Sequence, residues 1–414
     1  MTLMDDPSPY LKVLKKAPAF ASLTAEDLER ACDFAVLKVV DRGEAWCIAG
    51  ASVSELAVVL SGRLAEEGPS PDDAREYGRE DLLEAQAFFT QTAASSTLVA
   101  LREAMLLTFA FDDLCRNSLL FARLFCALQS NESEAASRLA TEPKVLRIAV
   151  CPVRERAVPD PIFEALVSSF EELRETRVLN RASFGGDLPG ALALGAPEMA
   201  HWLQEQELEF DLTVVLANPE DKDFAYRAID EADEVLFIDD GGGGRRSSLE
   251  RYAQAARGGR RCRLLVAADG RAPGNREPPP DIALFRSSQT LDFGKTAAVR
   301  VACANLVGAG PAVAASSSGV HAAAVLGALQ AFEARGLSPV ALAAAGSAIL
   351  PVGLLAAGAS LAHAEAIFRE LANPNLWRRS ARLETGLFEH GGVDALLYEM
   401  LKGFEIHRFE RPFV

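Results

Sequence analysis

The spacing of apolar residues differs among three consecutive parts of the chain. In residues 1 to 143, short apolar runs such as "AVLKVV", "ELAVVLSGRLAEE" and "STLVALREAMLLTFA" follow two helical segments and are bounded by Gly, Asp or Ser. This pattern predicts a small β-barrel or jelly roll with flanking helices. Thr24 with Asp27 three residues later predicts the N-cap of one of these helices.

Residues 144 to 292 alternate apolar strands with amphipathic helices. The runs "VLRIAVCPV", "FDLTVVLAN", "DEVLFIDD" and "CRLLVAAD" lack a polar face, which is typical of parallel strands buried on both sides. This segment is predicted to be an α/β, Rossmann-like domain. Residues 293 to 414 are alanine-rich, and their pattern predicts two successive strand, turn and helix segments, which together form a second, partial α/β unit. The fold class is therefore multidomain.

A stretch without formal charge, Leu337 to Ala362, tests this assignment. Its length would suffice to span a bilayer. However, it is rich in alanine and glycine, and Pro339 and Pro351 interrupt it. A buried strand, turn and helix is the favoured interpretation, with a membrane span as the alternative.

Net charge and cysteine content limit which binding partners and which cellular compartment are expected. The formal net charge of −16 repels phosphate backbones, so nucleic acid is not an expected partner. The seven cysteines are scattered without ligand spacing, so we expect neither a disulfide framework nor a metal site, and no cofactor. The start lacks a signal-peptide pattern. We expect a cytoplasmic protein, with peripheral contact at the inner membrane face through basic pairs such as Arg245 and Arg246 left open.

The first segment resembles the cyclic-nucleotide-binding fold. "DRGEAWCIAGASVSELAVVLSGRL" places Gly43, Gly50 and Gly62 in the family's turn pattern without a gap. The resemblance implies that these glycines are structural, because glycine permits positive φ in tight turns. They are not expected to bind ligand.

The resemblance also locates the family's phosphate cassette, in which an F-G-E precedes an R-S-A by about ten residues. The cassette positions carry Leu83, Glu84 and Ala85, then Ala94, Ser95 and Ser96. Loss of the arginine removes a charge-assisted hydrogen bond worth about 1.5–3 kcal/mol, and Glu84 would repel a phosphate. We therefore expect a degenerate cassette, retained for packing or dimerisation.

The remaining chain resembles the bacterial neuropathy-target-esterase branch of the patatin-like phospholipases. "IAVCPVRERAVPDPIFEAL" and "HWLQEQELEFDLTVVLAN" are similar to its middle segment, and "RVACANLVG" is similar to the helix that leads into its catalytic domain. The order of the three segments is also the same. The resemblance implies that residues 293 to 414 are a truncated patatin-like unit.

A patatin uses a Ser-Asp dyad, with the serine on a G-x-S-x-G elbow and an oxyanion loop of sequence G-G-G-x-R-G. Ser347 falls on the nucleophile after a one-residue shift; without the shift Gly346 does. Ala345 and Ile349 replace the flanking glycines, and we expect the isoleucine not to fit. The oxyanion-loop positions carry Ser316, Ser317, Ser318, Gly319 and His321.

Serine side chains resist the positive φ that aims the amides of such a loop. Asp394, the only aspartate after Ser347, lacks the glycines that follow the family's base. His363 is an alternative base.

The glycine run Gly241 to Gly244 follows an apolar run of the middle segment, so it does not align with the oxyanion loop. We interpret it as a flexible loop between a strand and a helix, with an anion site at the following helix as the alternative.

Three functions follow from these readings. The favoured one is a pseudoenzyme, an interaction or regulatory subunit that pairs with itself or with an active patatin-like paralogue. The second is a serine esterase or lysophospholipase that uses Ser347. The third is a cyclic-nucleotide or small-ligand sensor.

Overall fold

The computed structural model describes residues 8–20, 23–68, 74–135, 145–187, 197–241, 245–257, 262–267, 285–317, 321–335, 339–371, 378–379 and 388–389. The helices are α1 Ser8–Lys16, α2 Ala25–Cys32, α3 Ala85–Thr90, α4 Phe111–Arg116, α5 Ser118–Ala135, α6 Asp160–Leu173, α7 Arg181–Asp187, α8 Pro197–Glu209, α9 Lys222–Glu231, α10 Ser248–Arg257, α11 Thr296–Leu306, α12 Ala322–Glu333, α13 Ile349–Ala356 and α14 Leu361–Leu371.

The strands are β1 Val36–Val40, β2 Ala45–Cys47, β3 Glu55–Glu66, β4 Glu76–Tyr77, β5 Leu82–Leu83, β6 Leu98–Ala110, β7 Arg147–Pro152, β8 Thr176–Leu179, β9 Leu212–Leu216, β10 Glu234–Asp239, β11 Cys262–Ala267, β12 Ser287–Leu291, β13 Ala312–Ser317, β14 Ala341–Gly346, β15 Arg378–Arg379 and β16 Phe388–Glu389.

The chain divides into two compact units. The first contains residues 1–147, 176–213 and 230–232, and the second contains 148–175, 214–229 and 233–414. The division into three consecutive segments stays a prediction. The structure adds that residues 176–213 cluster with the N-terminal part of the chain.

The first unit is built on an antiparallel β-roll, as the pattern of short apolar runs predicts. Strand β6 pairs with β1, β2 and β3, and β3 pairs in turn with β4 and β5. Alternate residues of β3 enter two cores: Leu56 and Val58 pack in one, with Phe20 and Phe109, while Val59 packs in the other. Because both faces of β3 are buried, its sequence shows no polar alternation.

Local signals in the first unit are confirmed. The Thr24 side chain accepts a hydrogen bond from the Asp27 amide at 3.2 Å, and the Asp27 carboxylate accepts from the Thr24 amide at 3.2 Å. Gly43, Gly50 and Gly62 all have positive φ. Gly62 also lies against β6, where a Cβ would stand 2.3 Å from the Ala104 Cα, so only glycine fits.

The second unit carries the parallel sheet that was expected from the uniformly apolar strands. Its strands lie in the order β12, β11, β10, β7 and β9, and the pairs β12–β11, β11–β10 and β10–β7 are parallel. Further along, β13 and β14 form a two-stranded parallel sheet. Helices α12, α13 and α14 share an apolar cluster with one face of that sheet, through residues such as Leu329, Leu342 and Val352.

The uncharged stretch Leu337 to Ala362 contains β14 and α13, in agreement with the strand, turn and helix interpretation. None of the described helices combines the length and the apolar content that crossing a bilayer requires.

Candidate functional site

The cassette positions come together around the carboxylate of Glu84. Glu84 has φ +49°, a left-handed conformation that glycine adopts most readily. It lies at the position of the glycine in the F-G-E of cyclic-nucleotide-binding domains. Its Oε2 accepts a hydrogen bond from the Ser95 amide at 3.2 Å, and its Oε1 accepts from the Ser95 hydroxyl at 3.0 Å and the Ser96 hydroxyl at 3.4 Å. The chain's own carboxylate therefore occupies the donors of this loop.

The surroundings of Glu84 are unfavourable for a second anion. Ala94, at the arginine position, is buried and 5% exposed in an apolar core, so it supplies no positive charge. Burial raises the pKa of the Cys47 thiol to about 11, and the charge of Glu84 adds to this shift. In the described part of the chain, no lysine or arginine forms an ion pair with Glu84. A phosphate here would meet a carboxylate without a balancing cation.

The proposed nucleophile lies in a tight turn between a strand and a helix. β14 ends at Gly346, Ser347 and Ala348 form the turn, and α13 begins at Ile349. The positive φ of the turn, +64°, falls on Gly346 and not on Ser347. Ile349 is 51% exposed, so the clash expected from the sequence does not arise, because the side chain points away from the packed part of the turn.

Ser347 is held by the end of the neighbouring strand. Its amide donates to the Ser317 carbonyl oxygen at 2.9 Å, and the two hydroxyl oxygens are 3.0 Å apart. A nucleophilic serine needs a base within hydrogen-bonding distance. Among the described residues, Ser317 is the hydrogen-bond partner of the Ser347 hydroxyl, and neither a carboxylate nor an imidazole takes that place.

The other predicted catalytic positions are only partly described. Ser316 is exposed at the end of β13, and His321 is exposed directly before α12. Ser318, Gly319 and Asp394 lie outside the described residues. His363, the alternative base, is exposed on α14, where its amide donates to the Ser360 hydroxyl. In the described ranges, no group of His, Cys, Asp and Glu side chains has the arrangement of a metal site.

A third location follows from the sheet order of the second unit. In an open α/β sheet, ligands bind beyond the carboxyl ends of the strands where successive connections diverge. Here the loops after β7 and β10 lie at such a place. The Glu155 amide donates to the Arg245 carbonyl, and the Ser247 amide donates to the Val153 carbonyl at 2.8 Å. These hydrogen bonds join the two loops.

The amino end of α10, the alternative anion site, carries a carboxylate of the chain itself. The Ser248 amide donates to Glu155 Oε1 at 3.0 Å. Gly241 has φ +73° and donates its amide to Asp239, whereas Gly242 to Gly244 lie outside the described residues. Sequence reasoning missed Glu155, since 93 residues separate it from Ser248 and no local pattern marks the contact.

Comparison with known proteins gives matches only among solved structures. No family model matches the chain, and no curated protein matches it. The N-terminal domain of a transcriptional regulator from Streptomyces coelicolor A3(2) is 22% identical, with a TM-score of 0.27 over 31% of this chain and 96% of the other. The regulatory domain of Toxoplasma gondii PKA with cAMP is 17% identical, with a TM-score of 0.26 over 28% of this chain and 46% of the other.

A cyclic nucleotide-binding-like protein from Brucella abortus is 20% identical, with a TM-score of 0.23 over 26% of this chain and 94% of the other. Each of these three matches leaves more than two thirds of this chain uncovered.

Proposed function

We propose that this protein is a catalytically degenerate patatin-like protein that serves as a non-enzymatic interaction or regulatory subunit. The observation that carries this proposal is the turn at Gly346. The strained backbone position of the turn belongs to a residue without a side chain, and the adjacent Ser347 hydroxyl is engaged by Ser317.

A nucleophile at position 346 would not fit this turn. A Cβ at Gly346 would lie 2.2 Å from the Ser317 carbonyl oxygen, which is shorter than any stable contact. Ser347 in turn offers its amide to the same oxygen, so this N–H does not point toward a developing oxyanion. These contacts support a turn that does not serve as a nucleophile elbow.

The two anion positions of the fold support the same conclusion. Glu84 occupies the cassette donors, and Glu155 occupies the amide at the start of α10. Because a bound phosphate would have to displace a carboxylate that is covalently tethered at the site, neither position favours an anionic ligand.

We further propose that the protein acts by pairing, either with a second copy or with an active patatin-like paralogue. One face of the sheet formed by β13 and β14 consists of small side chains, and Ala312, Ala314 and Ala345 on it are exposed. Parallel sheets are ordinarily covered on both faces. A cytoplasmic location, with peripheral contact to lipid, belongs to this proposal.

Labelling with a fluorophosphonate probe tests the loss of catalysis. We expect no labelling of the purified chain and no difference between wild type and Ser347→Ala. If the probe labels the wild-type chain and does not label Ser347→Ala, the protein is an esterase or lysophospholipase and this proposal is wrong. Analytical ultracentrifugation of the chain, alone and with an active paralogue, tests the pairing.

Calorimetry with cAMP tests the sensor reading. We expect no heat of binding from the wild-type chain. We expect none from Glu84→Ala either, because removal of the carboxylate does not supply the missing guanidinium at Ala94. Micromolar binding by wild type, lost when Ser95 is altered, would instead favour a cyclic-nucleotide sensor.

A further inference from the structure

Among the described strands, β1 is an edge strand of the β-roll in the first unit. In the sheet order, β1 stands at one end and pairs with β6 on its other side. Exposed large apolar side chains gather along this edge: Val36 is 42% exposed, Val39 is 51% exposed, and Ile48, just after β2, is 62% exposed. Among the described residues of the first unit, only Leu119 and Phe125 are comparable. Soluble proteins ordinarily protect such an edge, because its unpaired backbone groups accept another strand.

A groove of about 340 Å³ is lined partly by residues of β1 and β2. Its walls are formed by β1, β2 and the segment Ser52 to Glu55, with Trp46 and Val39 among the lining side chains. The far wall is fixed, since the Ser54 carbonyl accepts a hydrogen bond from the Phe111 amide at 3.0 Å. The groove is bordered by an edge strand, which suits an occupant in extended conformation.

The charges at the groove are mostly negative. Glu44 and Glu55 line it, and Asp41 lies exposed between β1 and Glu44. Lys38 is the lining cation, and its Nζ is 2.6 Å from Glu55 Oε2. The next cation along the chain, Arg42, is paired with Asp230 at 3.1 Å. Because Lys38 and Glu55 neutralise each other, Glu44 and the nearby Asp41 leave a net negative charge, which favours an occupant that carries positive charge.

We propose that this groove binds an extended, basic segment of a partner protein, which adds as a strand to the free edge of β1. Main-chain hydrogen bonds to β1 supply affinity, alternate apolar side chains of the segment cover Val39 and Trp46, and its lysine or arginine side chains face Glu44 and Glu55. This proposal deepens the proposed function by naming a surface and a partner chemistry. It stands apart from the loss of catalysis, so failure here would leave the fluorophosphonate result unaffected.

The test uses the full chain and three fluorescein-labelled heptapeptides. The first alternates lysine and valine, the second has glutamate in place of lysine, and the third is the lysine and valine peptide with alternate backbone amides methylated. Fluorescence anisotropy in 0.1 M salt should show the first peptide binding at least ten-fold more tightly than either control. N-methylation removes the strand hydrogen bonds while it keeps every side chain, so the third peptide isolates the main-chain contribution.

Variants then place the binding site. Val39→Lys should weaken the first peptide at least ten-fold, and Glu55→Gln should weaken it about three-fold or more. Leu119→Lys is the matched control, because Leu119 is 56% exposed in the same unit but lies outside the groove lining, and we expect no change from it. Thermal unfolding followed by circular dichroism confirms that each variant is folded.

Several outcomes would overturn the proposal. These are no binding of the first peptide, equal binding of the three peptides, or the same loss from Leu119→Lys as from Val39→Lys. Should Val39→Lys not fold, the comparison of the three peptides on the wild-type chain still decides the matter, since it requires no variant.

Discussion

Glu207 lies at the centre of a buried ionic cluster in the first unit, and its neutralisation should destabilise the protein strongly. The Glu207 side chain on α8 is 1% exposed. Arg102 donates to it through Nη2 at 2.9 Å and Nη1 at 3.2 Å, and Arg147 Nη2 lies 2.9 Å from its Oε1. Arg102 and Arg147 are themselves buried, at 2% and 0% exposure.

The expected magnitude follows from what Glu207→Gln leaves behind. The amide keeps the shape of the side chain and one acceptor oxygen, but it removes the carboxylate that Arg102 and Arg147 share, while Arg147 keeps Glu231 Oε2 at 3.6 Å. Removal of one member of a buried ion pair costs about 3–5 kcal/mol, because the remaining charge stays desolvated. For a unit of this size that corresponds to a fall in melting temperature on the order of 10 °C.

Glu205→Gln is the matched control. Glu205 lies two residues earlier on α8, is 56% exposed and is 3.4 Å from His201. An exposed pair of this kind contributes little, so we expect a change of about 0.5 kcal/mol or less. The two substitutions alter the same helix by the same chemistry, and they differ in the burial and the ionic partners of the carboxylate.

Urea titration monitored by tryptophan fluorescence measures both variants. Trp202 is a reporter on the same helix, since it is buried and its ring centroid lies 5.2 Å from that of Phe184. Arg102→Met should show a loss similar to that of Glu207→Gln, and the double variant should lose less than the sum. A loss below about 1 kcal/mol for Glu207→Gln, or full additivity, would refute the idea that these charges depend on one another.

Three further predictions concern backbone turns and thiols. Gly346→Ala should lower the free energy of unfolding by about 3 kcal/mol, because Gly346 has a positive φ and a Cβ there would lie 2.2 Å from the Ser317 carbonyl oxygen. Its control is Gly327→Ala on α12, where a Cβ meets open space, and this variant should raise the free energy of unfolding by about 0.4–1 kcal/mol. Urea titration measures both variants. Gly62→Ala should prevent the roll from forming, which a loss of the far-ultraviolet strand signal would show. At pH 8, iodoacetamide should modify the exposed Cys115 and spare Cys47, whose pKa of about 11 leaves about 0.1% thiolate; mass spectrometry should find Cys47 modified only as the pH rises toward that value.

Much of the fold follows from local patterns along the chain. The strands of the roll, the Thr24 cap and the three turn glycines depend on neighbouring residues, and each is present in the structure. The apolar runs of the middle segment likewise predict strands buried on both faces, and β10 is buried along its whole length. Periodicity and turn chemistry act over a few residues, so a single sequence is enough to reveal them.

The pairing of charges could not be predicted in the same way. Arg102 and Glu207 are 105 residues apart, and Glu155 and Ser248 are 93 residues apart. Charged residues that meet across a fold have no periodic spacing, and most charged residues in a sequence are solvated. The grouping of residues 176–213 with the N-terminal part has a similar cause, since a reading along the chain assigns consecutive residues to one domain.

One feature unites the places where the fold would be expected to hold a ligand or a reacting group. Each is occupied by a side chain of the protein: Glu84 on the cassette serines, Glu155 on the first amide of α10, and Ser317 on the Ser347 hydroxyl. A tethered group competes with any free ligand of the same charge, because its effective concentration at the site is high. The polar groups at these positions are thereby satisfied without a ligand, which removes the cost of leaving them without a hydrogen-bond partner.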